Sequence, residues 1–302
     1  MELSTFQQKI IDMLPGIDFR LWEPLSDHTS FRIGGPAEVM AFPKTADELA
    51  GLFYVSKLLD CNCLILGAGT NVLASDDGIS GLVICLKDCL GGMEVLEDNR
   101  LRVAAGVTMT RAATFAATKG LSGMEFAHGI PGTVGGGIFM NAGAYGGEMA
   151  DICESVDVMW PDGKVETLSS EQMSFSYRHS RLEVEPGTVI CVVFRLEPKP
   201  ESEIRGRMQE LLAKRKASQP LDLPSAGSAF KRPVGGYAAA LIDQAGLKGF
   251  RIGGAAISEK HAGFAVNLGG ATAKDVQMLL SQVSDKVYEF SGIRLEPEVR
   301  IW

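Results

Sequence analysis

The chain has 302 residues, 46% hydrophobic and 22% charged, the balance of a folded water-facing protein with room for two or three packed units. Its net charge of −8 argues against nucleic acid as a partner. No run of 18 apolar residues suggests a membrane span, and the first sixteen residues lack the basic start and long apolar core of a secretion signal, so a cytoplasmic location is expected.

The segment 1–16 reads as a short amphipathic helix ended near Pro15-Gly16. Residues 38–42 predict a strand, Pro43 and Thr45 open a helix through about Leu59, and CLIL at 63–66 is a buried strand before the turn GAGTN. GLVICL at 81–86 completes a β-α-β unit. The runs 92–96 and 101–105, separated by EDNR, predict a hairpin, and Thr108–Lys119 a helix stopped by Gly120. Strands follow at 153–160, 164–168 and 189–196, with Pro161-Asp162-Gly163 as the turn between the first two. Phe175 closes a helix-like segment. A boundary falls at Pro198-Lys199-Pro200. Beyond it come an amphipathic helix over 201–217, a loop over 218–235, helices at 236–245 and 272–290, strands near 254–257 and 263–268, and the strand-like end LEPEVRIW.

Six cysteines (Cys61, Cys63, Cys85, Cys89, Cys153, Cys191) form no CxxC pair and no zinc-type cluster with histidine. They read as reduced, mostly buried thiols, and no metal site is expected. Charge is unevenly spread. Residues 205–251 hold nine Lys/Arg against three acids, a net +6 that leaves −14 for the rest. Such an island suits a small anionic ligand, although the helix face at 205–216 accounts for about half of it.

Glycine marks the functional region. Residues 120–147 contain ten glycines in 28 positions, interleaved with apolar anchors such as Met124, Phe126, Val134 and Ile138. That pattern suggests backbone wrapped against a ligand, with N–H groups offered to phosphate. Pro131, in Gly129-Ile130-Pro131-Gly132-Thr133-Val134-Gly135-Gly136, is placed by its ring at the first turn of a helix. A second cradle, Gly67-Ala68-Gly69-Thr70-Asn71, follows a strand. Position 72 is Val and a turn comes next, so it is not the dinucleotide fingerprint. Two such turns can clamp the two phosphates of a dinucleotide. Taken alone, Ser228 in SAGSAFK is an ordinary turn serine, Arg178 a surface cation or a carboxylate clamp, and Glu298 a solvated or paired acid. Spacing does not decide among these.

Seven stretches, HTSFRIGGPA (28–37), ILGAGTNVL (65–73), GMEFAHGIPGTVGGGIFMNAGAYGGE (123–148), FSYRHS (175–180), KRKASQPLDLPSAGSAFKRP (214–233), GLKGFRIGGAAISEKHAGFAVN (246–267) and EPEVRIW (296–302), together closely resemble the UDP-N-acetylenolpyruvoylglucosamine reductase family. The resemblance implies an α+β fold. Two subdomains (1–88 and 89–199) bind FAD in the vanillyl-alcohol-oxidase-like manner, a C-terminal α+β substrate domain spans 200–296, and the strand 297–302 returns to the first subdomain. The short path from Gly147 to Tyr177 resembles the subclass that lacks an extra tyrosine-bearing loop.

The resemblance also implies a flavoenzyme of peptidoglycan precursor synthesis. FAD is held non-covalently, NADPH is the reductant, and UDP-N-acetylglucosamine enolpyruvate is the substrate. Hydride passes from reduced flavin N5 to C3, and a serine gives the proton to C2. By motif, Ser228 is the proton donor, and Arg178 and Glu298 support the substrate carboxylate. Leu66, Gly67, Ala68, Gly69, Thr70, Asn71 and Val72 fall to the cofactor, as do Gly129, Ile130, Pro131, Gly132, Thr133, Gly135, Gly136, Asn141, Ala142 and Gly143. Tyr145, Tyr177, Lys216, Gln219, Lys231 and His261 fall to the substrate. Ala226 and Ala229 depart from residues common among relatives, and no change of reaction is expected from either. A monomer is expected, with the UDP-sugar and NADPH as its partners. Two rival readings remain on the residues: an oxidase of the same fold with flavin attached through His128, and a nucleotide-binding module without chemistry.

Overall fold

A computed structural model describes residues 3–302. The chain forms two compact units. Among the described residues, the first contains 3–21, 39–68 and 81–214, and the second 22–38, 69–80 and 215–302.

Helix α1 (Thr5–Met13) starts where Ser4 and Gln7 form a reciprocal capping box. Strands β1 (Asp18–Pro24) and β2 (Pro36–Phe42) lead to helix α2 (Ala46–Leu58). The Thr45 side chain caps α2, and Asp47 and Glu48 suit the positive end of its dipole. Next come β3 (Cys63–Leu66), the short β4 (Val72–Leu73) and β5 (Ile79–Cys85). The sheet order is β1-β2-β5-β3, with β3 parallel to β5. This is the β-α-β unit read from the sequence. Its buried side chains include Ile10, Val39, Leu49, Leu52 and Ile84.

The larger part of the first unit is built on an antiparallel sheet. Its strands are β6 (Met93–Leu96) and β7 (Arg100–Ala104), which form the expected hairpin, together with β11 (Cys153–Met159), β12 (Val165–Ser169) and β13 (Thr188–Arg195). The order is β12-β11-β13-β7-β6. Between β7 and β11 the chain forms α3 (Met109–Thr118), β8 (Leu121–Ser122), α4 (Val134–Phe139), β9 (Gly143–Ala144), β10 (Gly147–Glu148) and α5 (Met149–Ile152). Ala112, Ala116, Val134 and Ile138 share one core with Val156, Val192 and Phe194. The alanines of α3 let helix and sheet approach closely. β14 (Glu197–Pro198) pairs with β8, and α6 (Glu201–Ser218) follows.

The second unit has a four-stranded antiparallel sheet. Its strands, β15 (Ser225–Ser228), β16 (Arg251–Ile252), β17 (Ala255–Ile257) and β18 (Phe264–Asn267), lie in the order β15-β18-β17-β16. Helices α7 (Ala238–Gln244) and α8 (Ala273–Ser291) contribute Ile242, Val276, Leu280 and Val283 to a core shared with Ile257 and Ala265. Thr272 and Asp275 box the start of α8, and Gly292 at φ +72° ends it. The last strand, β19 (Arg300–Ile301), runs parallel to β4.

Four expectations are corrected. The segment 218–235 is not all loop, because β15 pairs with β18 within it. The residues before Tyr177 form turns rather than a helix: the N–H groups of Met173 and Ser174 close back on Ser169 and Glu171. The strand-like end is reduced to Arg300–Ile301, since Pro297 has no N–H for a ladder. Pro131 precedes the helix instead of opening it. Helix α4 begins at Val134, with Thr133 as its cap. Among the described residues no helix is long and apolar enough to cross a membrane, and no cluster of metal-ligating side chains is present.

Candidate active site

Within the first unit, the turn after β3 meets the loop before α4. A Cβ on Gly67 would stand 2.7 Å from Thr133 Oγ1, so only glycine fits there without displacement. Thr133 is fixed in turn, because its Oγ1 accepts from Gly136 N–H at 3.3 Å and its carbonyl from Gly137 N–H at 2.8 Å. Gly135 is similarly tight, its Cβ position lying 2.9 Å from the Ala105 side chain.

The sequence suggested that the first N–H groups of this helix face a ligand. The structure differs. Val134 N–H donates to Val107 O at 2.8 Å and Gly135 N–H to Ala105 O at 2.9 Å, which holds α4 on the sheet. The N–H groups of Gly67, Ala68, Gly132 and Thr133 have no protein acceptor among the described residues. They are the donors available to an anion, on two turns brought together by the Gly67–Thr133 contact. A diphosphate fits such a cradle. His128, at the entry to this loop, has a buried Nδ1 without a hydrogen bond, while its carbonyl accepts from Thr110 Oγ1. Burial lowers its pKa, so the ring is neutral at pH 7.

Arg178 sits at the tip of a tight hairpin. Ser176 and His179 exchange two backbone hydrogen bonds of 3.1 Å, and Arg178 has φ +55°. Its Nη2 donates to Gly143 O at 3.1 Å, and the guanidinium lies 5.1 Å from the centre of the exposed Tyr177 ring. Asn141 is wholly buried. Its Nδ2 donates to Ser176 O at 3.0 Å, and its Oδ1 accepts from Ala150 N–H at 2.9 Å. Both ends of this carboxamide are therefore engaged with backbone. Ala142 and Gly143 continue the segment, and exposed Tyr145 follows at φ +55°.

Within the second unit, Ser228 ends β15 opposite Phe264. A register shift separates it from the Ser225–Val266 pair, with Gly227 at φ +75° inside the bulge. Such bulges re-aim a side chain. The next residue joins Ser228 to Glu298: Ala229 O accepts from Glu298 N–H at 3.0 Å, and Lys231 N–H donates to Glu296 O at 2.9 Å. The structure thus brings together Ser228 and Glu298, which lie seventy positions apart in sequence. Asn71 belongs to the same cluster, its Nδ2 donating to Glu298 O at 3.2 Å and its carbonyl accepting from Arg300 N–H. Gly69 is tight as well, because a Cβ there would overlap the His28 carbonyl.

Of the expected substrate residues, Tyr145 and Tyr177 lie in the first unit and Lys216, Gln219, Lys231 and His261 in this one. Lys231 Nζ pairs with Glu296 at 2.6 Å. His261 Nδ1 accepts from Gly263 N–H at 3.1 Å, which leaves its proton on Nε2, and burial lowers its pKa. Lys216 is exposed and gives its carbonyl to Lys260 Nζ, and Gln219 is half-buried at the end of α6. In the first unit, much of the basic helix face is paired on α6 itself, as Arg205–Glu201 and as Arg207 and Lys214 with Glu210.

Sequence reasoning missed several supports. Ser30 Oγ donates to Ser225 O at 2.6 Å, and Ser30 N–H donates to Gly69 O at 3.0 Å, which ties β15 to the glycine turn. Asp76 accepts from the N–H groups of Ala273 and Lys274 at the start of α8. Ser180 Oγ bonds Phe139 O at 2.7 Å. Ser30 lies in a resemblance stretch, but its spacing gave no hint of its partner.

The folding pattern is that of an FAD-binding oxidoreductase. Residues 37–169 match a family model described as an FAD binding domain. Residues 219–302 match a model described as the C-terminal domain of UDP-N-acetylenolpyruvoylglucosamine reductase. The chain is 44% identical over 297 residues to the UDP-N-acetylenolpyruvoylglucosamine reductase of Streptococcus pneumoniae (strain JJA), covering 98% of each. The crystal structure of UDP-N-acetylenolpyruvylglucosamine reductase from Thermus caldophilus superposes with a TM-score of 0.80 at 38% identity, covering 95% of this chain and 98% of that one. A berberine-bridge-enzyme-like protein of Physcomitrella patens shares the fold alone (TM-score 0.52, 16% identity, 65% of this chain and 45% of that one). The chain belongs to the UDP-N-acetylenolpyruvoylglucosamine reductase family, and its cofactor is FAD.

Proposed function

We propose that this enzyme uses NADPH and FAD to reduce the enolpyruvyl ether of UDP-N-acetylglucosamine enolpyruvate, giving the lactyl ether of UDP-N-acetylmuramate for peptidoglycan synthesis. The supporting observation is the backbone ladder of the second unit, which sets Ser228 beside Glu298 through the Ala229–Glu298 hydrogen bond. When bound, FAD supplies a hydride carrier, charged by NADPH and discharged from N5 to C3 of the substrate.

The protein residues handle binding and the proton. The turns at 66–72 and 129–143 hold the cofactor, with Gly67, Ala68, Gly132 and Thr133 giving N–H groups to its phosphates. Arg178 presents a planar fork to the substrate carboxylate. Glu298 accepts a hydrogen bond from the enolic form of that carboxylate as charge gathers there. Ser228 Oγ–H delivers the proton to C2, a role open to so weak an acid only beside a strongly basic carbon. Tyr145, Tyr177, Lys216, Gln219 and His261 contact the nucleotide sugar. Lys231 shares its charge with Glu296 and supports the serine loop.

The functional division follows the segments 1–88, 89–199 and 200–296. The two glycine turns fall in the first and second of these, and β19 pairs with β4, which lies in the first. The protein acts as a cytoplasmic monomer of the subclass without the extra tyrosine loop.

The test separates the half-reactions. The anaerobic yellow enzyme is bleached with NADPH, freed of NADP and mixed with the enolpyruvyl substrate. Rapid return of the flavin absorbance with formation of UDP-N-acetylmuramate is expected. Flavin that stays reduced until oxygen enters would refute the reading. Acid precipitation should leave the yellow colour in the supernatant, whereas a coloured pellet would mean covalent attachment.

A further inference from the structure

We infer that Asn141 is a positioning residue for Arg178, its carboxamide setting the hairpin that aims the guanidinium. The inference rests on the proposed role of Arg178 and concerns what holds that side chain in place.

Four observations within the first unit carry it. Asn141 is completely buried, and both polar ends of its side chain are satisfied. Its Nδ2 holds the carbonyl of Ser176, the residue that opens the Ser176–His179 hairpin. Arg178 at the tip reaches back to Gly143 O, two residues beyond Asn141. Ser180, also buried, anchors the far side of the hairpin through Phe139 O. The hairpin is therefore clamped on both flanks to the segment 139–143.

Asn141 itself lies at φ +41°. Asparagine tolerates this left-handed region better than other side chains, because its short amide can bond locally. A side chain chosen for the cofactor would direct its amide outward, whereas this one faces the Arg178 hairpin and α5. Arg178 is only half-buried at a solvent-facing tip and sits at φ +55°, so its aim depends on the base of the hairpin. A long flexible side chain displaced by about 1 Å at its root can lose on the order of 100-fold in rate.

The test uses the holoenzyme and four proteins: wild type, Asn141→Asp, Arg178→Ala and the double variant. Aspartate keeps the acceptor for Ala150 N–H and tolerates the left-handed backbone, but sets a carboxylate against the Ser176 carbonyl. Flavin content, NADPH-driven bleaching and substrate-driven reoxidation are measured separately. Because Asn141 lies in the segment proposed to hold the cofactor, rates are taken per bound flavin; on that basis Asn141→Asp should reoxidise about 10- to 100-fold more slowly, a far larger change than in its bleaching rate. In the Arg178→Ala background the same change should cost less than about twofold, the margin expected where two residues act through one. If aspartate prevents folding, Asn141→Gly, which accepts the same φ, takes its place. Equal slowing in both backgrounds overturns the inference, as does slowing that merely follows lost flavin or an Asn141 variant with wild-type reoxidation. Arg178→Ala with normal reoxidation would instead remove the proposed role of Arg178 itself. The two failures are thus distinguishable.

Discussion

Gly67→Ala probes the proposed cofactor cradle where its two turns meet. Gly67 does not need a left-handed backbone, so the perturbation is steric. The new methyl would lie 2.7 Å from Thr133 Oγ1, with the other Thr133 atoms at 3.8 and 3.9 Å. One atom therefore carries the whole conflict, and two responses are open. If Thr133 rotates, α4 loses its cap, which costs about 1 kcal/mol with or without cofactor. If the 66–68 turn backs away, the cradle N–H groups leave the phosphates. Overpacking of this kind costs about 1–3 kcal/mol, or about 5- to 150-fold in FAD affinity. The assay titrates apoprotein with FAD by flavin fluorescence, alongside melting of the apo form. We expect weakened affinity with a small change in apo stability. Thr133→Ala in the same background removes the atom in conflict, so the double variant should bind FAD more tightly than Gly67→Ala alone while still losing the cap. Wild-type affinity in Gly67→Ala together with unchanged apo stability, or a double variant weaker than the sum of the singles, would refute the steric account.

Other outcomes follow from the same structure. Ser228→Ala should leave bleaching by NADPH intact and slow reoxidation by substrate by about 100- to 10,000-fold, the usual worth of a general acid; equal rates in both half-reactions would remove the acid assignment. Arg178→Lys should slow reoxidation by about 10-fold or more, since one point charge replaces a fork aimed at a carboxylate, and stopped-flow traces at saturating substrate measure it. Burial lowers the pKa of His261, with the positive charge of Lys248 acting in the same sense. The unfolded chain then takes up a proton before the folded one as pH falls below the ordinary histidine value. Stability should accordingly drop on acidification through that window and level off below the folded-state pKa. His261→Gln should flatten this part of the melting-temperature profile, and an unchanged profile would show that the ring contributes nothing. Burial pushes the Cys153 thiol up to about 12 and Cys63 and Cys89 to about 11, so these thiols should resist alkylation at pH 8 until the protein is unfolded; rapid native labelling at any of them, located by mass spectrometry, would contradict this.

The legible parts of the fold are those whose signals are local. Thr45 and Thr108 announce helices because a side-chain oxygen meets an N–H three residues on, and each is observed doing so. CLIL reads as a strand because its apolar run is continuous, and it pairs in parallel with β5, although only Leu66 of the expected buried strand is buried. The misread parts depend on distant partners. SAGS has no β-branched residue, and β15 exists because β18 offers it hydrogen bonds, while residues 296–298 hold Ala229 and Lys231 just beyond it. Pro131 has a ring suited to a helix start, but Thr133 supplies the Oγ that caps one. The Arg178 hairpin is held from positions 139 and 141, which no reading of residues 170–180 alone would supply. Resemblance named the site residues, but the bonds that aim them are visible only in the fold.

The two glycine turns share a design that their sequences conceal. Each is followed by an asparagine, Asn71 directly and Asn141 after α4, whose carboxamide holds the main chain of a segment carrying a proposed catalytic residue: Asn71 bonds Glu298 O in the second unit, and Asn141 bonds Ser176 O beside Arg178 in the first. On the proposed function, the glycines before each asparagine let backbone approach a bulky anion, and the asparagine that follows is an anchor for chemistry. A turn held firmly enough to grip phosphate is also a firm base for a side chain that must be placed within a fraction of an ångström. On this reasoning, loss of either amide should leave phosphate contacts largely intact and disturb the substrate half-reaction first. The opposite order, with FAD lost before reoxidation slows, is expected only for the glycines.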